Sequence, residues 1–152
     1  MPALDKLRAR SAGYRIGRIF RAVAKLGDRL FPPTGVNRCQ VPIFLEVFHA
    51  PGRSQKQLST ELNLDTAATA RTLQALEKAG LVERRENPLC RRDKCVFPTA
   101  HGETLLPELL RALNQYNEIL FQGFTESERR NTLELLDKME RNVQQALKKE
   151  TQ

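Results

Sequence analysis

A chain of 152 residues has room for one compact domain and an added oligomerisation element, and it is short for a two-domain enzyme. Its formal net charge of +7 favours a polyanionic partner, such as a nucleic acid or an anionic membrane surface. The charge is uneven, because residues 1–30 carry eight Lys or Arg against two Asp, whereas residues 101–152 carry seven basic and nine acidic side chains. The first two thirds of the chain are therefore expected to face the polyanion.

The sequence predicts a cytoplasmic protein. Its first ten residues are charged from Asp5 onwards, and no stretch of about 18 uninterrupted apolar residues occurs that could cross a bilayer. Cys39, Cys90 and Cys95 make an odd number of cysteines in a chain without an export signal, so we expect reduced thiols.

The first periodic segment covers residues 4–30, where apolar and basic side chains recur on different sides at helical spacing. This pattern predicts one amphipathic helix, ended by Pro32 and Pro33. A short apolar helix is expected over residues 43–48. Its start is open: Asn37 and Gln40 could form a capping pair, but Pro42 would then fall inside the helix, so a start at Pro42 is favoured.

The next segment has the pattern of a helix-turn-helix. Ser54 and Gln57 fit a capping box, which satisfies backbone amides at a helix start, and the helix that follows is only about two turns long. Residues 63–65 interrupt it. Asp65 can then cap a second helix, which has Thr69, Leu73 and Leu76 on its core face and ends at Gly80.

From Leu81 the period changes to that of β-strands. LVERRE and CVFPT are short β-compatible segments separated by Asn87-Pro88 and a basic tip, which predicts a two-stranded hairpin, or wing. Thr99 can cap a further helix that reaches almost to Gly123, and the residues from Thr125 to Glu128 form another capping box before a final helix.

The terminal helices present more apolar surface than a small winged module can cover, so they are expected to pack on a second copy of the chain. The predicted organisation has three parts. Residues 1–36 form an N-terminal dimerisation helix, residues 37–100 a winged helix-turn-helix DNA-binding module, and residues 101–152 the C-terminal dimerisation helices. The fold class is mainly α with a small β-hairpin.

A helix-turn-helix places its second helix where it can enter the major groove of DNA, and an adjacent hairpin can reach the backbone or the minor groove. Small Ala side chains on the second helix allow close approach, while Arg71 and Gln74 can donate to base edges and phosphates. The predicted DNA-binding residues are Ser54, Gln55, Thr66, Ala67, Ala68, Ala70, Arg71, Gln74, Arg84, Arg91, Arg92 and Lys94.

The segment SQKQLSTELNLDTAATARTLQALEKAGLVERRENP, the basic wing and PTAHGETLLPELL resemble the MarR (multiple antibiotic resistance regulator) family over nearly the whole chain. The most specific parts are LEKAGLVERRENP and the Thr-x-x-Gly of Thr99 and Gly102. The resemblance implies a triangular homodimer whose two winged modules bind a pseudo-palindromic double-stranded DNA operator. It also implies a repressor that a small phenolic or amphipathic effector releases from DNA.

One position departs from the family. Its wing commonly carries Asp-x-Arg, in which the acid orients an Arg that enters the minor groove, but here Cys90 occupies the acidic position and Arg92 the basic one. Arg92 is still the expected minor-groove residue. Whether Asp93 takes over the orienting role is open.

An effector pocket between the dimer helices and the winged module is expected, from the resemblance and helix phase, to be lined by Tyr14, Arg18, Phe44, Phe48 and Arg111. Most of these side chains could instead belong to the core, and that alternative is favoured. No Gly-rich phosphate loop, His-Glu metal motif or nucleophile elbow occurs, so we expect no enzymatic activity and no cofactor.

Cys90 and Cys95 flank the wing and could form a redox pair, since nearby cations favour a reactive thiolate. Inert thiols are the alternative, and regulators of this kind that sense oxidants usually carry the thiol in the first helix. A metal site is not expected, because Cys90 and Cys95 lack the tight spacing of common zinc sites. Two other functions remain open: a protein-interaction or antirepressor module on the same fold, and a cysteine-based redox-sensing regulator.

Overall fold

The computed structural model describes the backbone of residues 2–87 and 90–150 and the side chains of residues 4–86 and 94–149. The elements are α1 (Pro2–Arg10), α2 (Ala12–Leu30), a 3-10 helix (Pro32–Thr34), α3 (Val41–His49), α4 (Gln55–Glu61), α5 (Thr66–Lys78), β1 (Val82–Asn87), β2 (Cys90–Pro98), α6 (Ala100–Leu120) and α7 (Glu126–Glu150). The two strands form an antiparallel hairpin. The predicted class, mainly α with a small β-hairpin, is confirmed.

The chain forms two compact units, Met1–Tyr116 and Asn117–Gln152. The boundary lies within α6, because the first half of that helix packs on the core of the first unit through the buried Leu109 and the half-buried Leu113. The predicted division at residues 36 and 100 separated dimerisation helices from a DNA-binding module, and it stays a prediction. The core of the first unit includes Phe31, Val36, Val41, Ile43, Phe44, Val47, Leu58, Leu73, Leu76, Leu81, Val82, Val96 and Leu109.

The prediction of a single helix over residues 4–30 is wrong. Ser11 separates α1 from α2: its backbone is extended, and its hydroxyl accepts a hydrogen bond from the amide of Tyr14 at 3.1 Å. This bond satisfies an amide that a helix start would otherwise leave without a partner. Ser11 is therefore a cap at a break between two helices.

The two alternatives for the start of α3 are both partly realised. Asn37 and Gln40 form a reciprocal capping pair, because the Gln40 side chain accepts from the Asn37 amide at 2.9 Å and the Asn37 side chain accepts from the Gln40 amide at 3.1 Å. These bonds lie in a turn before the helix. α3 itself begins at Val41, so Pro42 falls in its first turn, where its missing N–H has no helical partner to lose.

The helix-turn-helix forms as its local signals predict. Ser54 and Gln57 make both bonds of the capping box, and Asp65 accepts from the amide of Ala68 at 2.8 Å. Between the helices, Asn63 takes a left-handed conformation with φ of 49°, which Asn tolerates better than most residues. At the far end of α5, Gly80 with φ of 69° closes a Schellman motif, in which the Leu81 amide donates to the Leu76 carbonyl.

A short segment before α4 joins the hairpin. The Gly52 amide donates to the Val96 carbonyl at 2.8 Å, and the Val96 amide donates to the Arg53 carbonyl at 2.9 Å. Ser54 forms an isolated bridge with Cys95. The start of α4 is therefore fixed directly beside β2.

The Thr-x-x-Gly motif at the start of α6 is a tertiary junction. The Thr99 hydroxyl accepts from the Gly102 amide at 3.0 Å and donates to the Gly80 carbonyl at 2.6 Å. Gly102 is buried, and a Cβ built there would overlap with the carbonyl oxygen of Leu81. The motif therefore holds the end of α5, the start of the hairpin and the start of α6 together.

Replacing Gly102 by Ala is expected to lower the free energy of unfolding by about 1–3 kcal/mol, because the new methyl group meets backbone that cannot move aside. Urea unfolding at one fixed protein concentration measures this change. Gly17→Ala is the matched control. Its nearest neighbour is the flexible end of Arg21, so it should stabilise the helix by up to about 1 kcal/mol. Equal effects of the two variants would contradict the junction.

Candidate nucleic-acid interface

Helix α5 presents a polar stripe opposite its core face. Thr69, Leu73 and Leu76 are fully buried and hold the helix against the module. Helical spacing then places the other side of α5 outward. This outward stripe consists of the exposed Thr66, Ala67, Arg71 and Gln74 and the half-buried Ala70.

Ala68 does not share the outward stripe. It follows Thr66 by two positions, which places it on a different flank of the helix. Its side chain is half-buried and its amide donates to Asp65, so it belongs to the cap of α5. The predicted contact of Ala68 with DNA stays a prediction.

An open groove of about 560 Å³ lies beside the stripe, where α4, α5 and the hairpin meet. It is lined by Ser54, Gln55, Lys56, Thr66, Arg84, Lys94 and Val96. Five of these seven residues were predicted to contact DNA, and the fold brings them together from three separate segments. We call this cavity the basic groove.

Two groove residues were not predicted, the apolar Val96 and the charged Lys56. Its ammonium group adds to the positive charge from Arg84 and Lys94. The signal was present, because Lys56 follows the predicted contacts Ser54 and Gln55 in the first turn of α4. Whether Lys56 adds charge to the groove depends on the distance between α4 and β2, and this distance cannot be read from the sequence.

Arg84 and Arg85 lie on opposite faces of β1 because side chains alternate along a strand. Arg84 lies opposite Val96 in the register and lines the basic groove. Arg85 instead donates through Nε to Glu83 at 2.9 Å, and its guanidinium lies over the ring of Phe97 at 4.7 Å. Only Arg84 of this pair therefore faces the groove.

The predicted wing tip falls mostly outside the described side chains. Arg91, Arg92 and Cys90 belong to that part, and their predicted roles stay predictions. Lys94 is described and is exposed at the edge of the basic groove. Cys95 is buried and Cys39 is exposed, and both are free thiols. The proposed redox pair of Cys90 and Cys95 thus includes a thiol shielded from solvent.

The five residues predicted to line an effector pocket lie in different environments. Tyr14, Arg18 and Arg111 are exposed, whereas Phe44 is fully buried and its ring contacts that of Phe48 at 4.8 Å. Phe44 thus belongs to the core, which was the alternative reading. Arg8 donates a hydrogen bond to the Tyr14 hydroxyl, and this bond lowers the pKa of Tyr14.

A smaller cavity of about 240 Å³ lies between α2, α3 and α6. Its lining is mostly apolar: Phe20, Val23, Ala24, Gly27, Phe31, Arg38, Val41, Pro42, Leu113 and Tyr116. The Tyr116 hydroxyl donates to the Val23 carbonyl at 3.3 Å, and burial raises its pKa against the opposing effect of Arg38. Arg38 donates through Nε to Asp28 at 2.7 Å. None of the predicted effector-pocket residues lines this cavity.

The short capped helix, the left-handed turn, the polar-faced second helix and the adjoining hairpin define a winged helix-turn-helix protein. A sequence model of the MarR family matches residues 34–93, which include the helix-turn-helix and most of the hairpin. The chain is 26% identical over 129 residues to YybA, an HTH-type transcriptional regulator of Bacillus subtilis, covering 85% of this chain and 86% of YybA.

Solved structures agree with the sequence comparison. A MarR transcriptional regulator from Methanosarcina mazei superposes with a TM-score of 0.81 at 29% identity, covering 88% of this chain and 96% of that one. A MarR-family regulator from Listeria monocytogenes, solved with a 26-mer DNA, gives a TM-score of 0.81 at 27% identity, covering 88% and 89%. The chain is therefore similar to MarR-family transcriptional regulators in its helix-turn-helix sequence and in its fold, which agrees with the resemblance of its motifs. In the described part of the chain, no helix has the length and apolar character needed to span a membrane.

Proposed function

We propose that this regulator binds a pseudo-palindromic double-stranded DNA operator as a homodimer and represses transcription until a small effector releases it. The observation that carries the DNA-binding part is the outward stripe of α5 beside the basic groove. The stripe combines small side chains with Arg71 and Gln74, which suit base edges, while the groove concentrates cations, which suit phosphates. The Listeria relative bound to DNA supports the proposal.

The two surfaces divide the work of recognition. Arg71 lies on the outward stripe, where it can approach a base edge, and no ion pair involving it occurs among the described side chains. Lys56, Arg84 and Lys94 lie in the groove, where they can neutralise the backbone of any sequence. Arg92 at the wing is proposed to act through the minor groove.

Selection from a pool of random duplexes is expected to recover a motif with two-fold symmetry. Arg71→Ala should cost about 1–3 kcal/mol per lost base contact and relax preference at one position of each half-site. Arg71→Lys is the control, because it keeps the charge but loses the planar fork, so it should retain affinity for scrambled DNA. A pool without any symmetric motif would favour a protein-interaction module instead.

Dimer formation is proposed from apolar surface that each unit leaves exposed. In the first unit, Ile16, Ile19 and Phe20 on α2 are 47%, 60% and 63% exposed. In the second unit, α7 exposes Leu133, Leu136, Met139 and Val143 at a spacing that places them along one side. Contiguous apolar patches of this kind are rare on monomers, and a second copy of the chain would cover them.

Light scattering is expected to give twice the 17.3 kDa mass of one chain. Leu136→Lys places a charge within the apolar stripe of α7 and should shift the protein towards monomer. Gln145→Lys adds the same charge on the opposite side of α7 and should leave the mass unchanged. A stable wild-type monomer at micromolar concentration would contradict the homodimer.

Effector binding is proposed for the cavity between α2, α3 and α6. The volume of about 240 Å³ suits one small ring, and the lining is apolar apart from Arg38, Tyr116 and backbone atoms. A guanidinium and a phenol beside an apolar slot favour a small aromatic anion. This location differs from the site expected from Tyr14, Arg18, Phe44, Phe48 and Arg111, which stays a prediction.

Benzoate is expected to raise the melting temperature of the wild type and to weaken its binding to DNA, because a ligand stabilises the form that it binds. Ala24→Leu fills the cavity and should remove both responses. Ala22→Leu adds the same side chain at an exposed position of α2 and should leave them intact. A full response from Ala24→Leu would show that benzoate binds elsewhere.

A further inference from the structure

The side chain of Arg84 lies between the carboxylate of Glu77 and the open basic groove. Arg84 extends from β1 into the basic groove, and its side chain is only 24% exposed. On one side lies Glu77 in the last turns of α5, with Nε of Arg84 3.5 Å from a carboxylate oxygen of Glu77. On the other side lies the open groove with Lys56 and Lys94.

The contact with Glu77 leaves Arg84 incompletely satisfied. Nε of Arg84 is shielded from solvent and has no hydrogen-bond partner among the described side chains, so its contact with Glu77 is an ion pair without a hydrogen bond. Leaving a shielded donor without a partner is unfavourable. The next residue offers a contrast, since Arg85 donates to Glu83 and lies over the Phe97 ring.

The groove suits the anion that a guanidinium binds best. Arg presents its donors in a planar fork that matches two oxygens of a phosphate, while the two Lys ammonium groups add positive charge. Thr66, the first residue of α5, also lines the groove and adds a hydroxyl group to it. If Arg84 leaves, the carboxylate of Glu77 can be hydrated with a small loss of free energy, since its side chain is already 42% exposed.

We propose that Arg84 exchanges partners, pairing with Glu77 in the free protein and donating to a backbone phosphate when DNA occupies the basic groove. Glu77 then competes with a DNA phosphate for Arg84, and this competition lowers the affinity for every DNA sequence alike. The inference rests on the proposed DNA-binding function and adds to it a residue that opposes binding.

The exchange is tested by fluorescence anisotropy of the full chain with a selected duplex and a scrambled duplex across a salt series. Glu77→Gln should tighten binding to both duplexes by at least about threefold, which is within the energy of a partly exposed ion pair. It should also steepen the dependence of affinity on salt. Glu83→Gln is the matched control, because it removes the same charge one residue from Arg84 on the other face of β1, and it should change affinity less.

A double-mutant cycle separates exchange from a general field effect. When Arg84→Gln is already present, adding Glu77→Gln should tighten binding no more than the Glu83→Gln control does. The melting temperature of each variant is measured in parallel. Should Arg84→Gln fail to fold, the ¹⁵Nε resonance of Arg84 provides the second readout, and it should shift when duplex is added to wild type.

Three results would overturn the exchange. Unchanged or weaker binding by Glu77→Gln would make the ion pair a purely structural link between α5 and β1. If Glu77→Gln still tightened DNA binding in the Arg84→Gln background, the effect would come from net charge alone. If the ¹⁵Nε resonance of Arg84 did not shift on addition of duplex, Arg84 would have gained no new partner. Failure of wild type to bind any duplex would instead refute the proposed function, whereas binding by wild type without the gain refutes only the exchange.

Discussion

The close approach of Gly102 to the carbonyl of Leu81 is the constraint on which the winged helix-turn-helix depends. A side chain at residue 102 would push α6 away from the point where α5 ends and the hairpin begins. Thr99 reinforces the approach by bonding to both Gly80 and Gly102. Because these contacts lie at the end of α5, they determine the direction of the recognition helix relative to the strand that carries Arg84.

Local chemistry made much of the fold predictable. Ser54, Asp65 and Gly80 were assigned correctly because a cap needs only a side chain or a backbone conformation within a few residues of the helix end. The break at Ser11 was not predicted, because no local signal marks it. A Ser inside an amphipathic pattern has no neighbour that distinguishes a cap from an ordinary helical position, and apolar periodicity continues across it.

The candidate site was predictable where it lies on one element and less so where elements meet. The outward stripe of α5 follows from helical spacing once Thr69, Leu73 and Leu76 are placed in the core. Lys56 and the pairing of Arg84 with Glu77 depend on how closely a strand approaches two helices. The cavity near Tyr116 is harder still, because it is built from α2, α3 and α6, which are distant in sequence.

The short pairing of residues 52–54 with β2 has a dynamic consequence. The amides of Gly52 and Val96 are held in hydrogen bonds between the two segments, and Ser54 caps α4 immediately afterwards. Opening of the hairpin base must therefore break the start of α4 at the same time. Slow exchange of these amide protons with solvent should occur as one cooperative event, so the wing base and the first helix of the helix-turn-helix behave as a single folding unit.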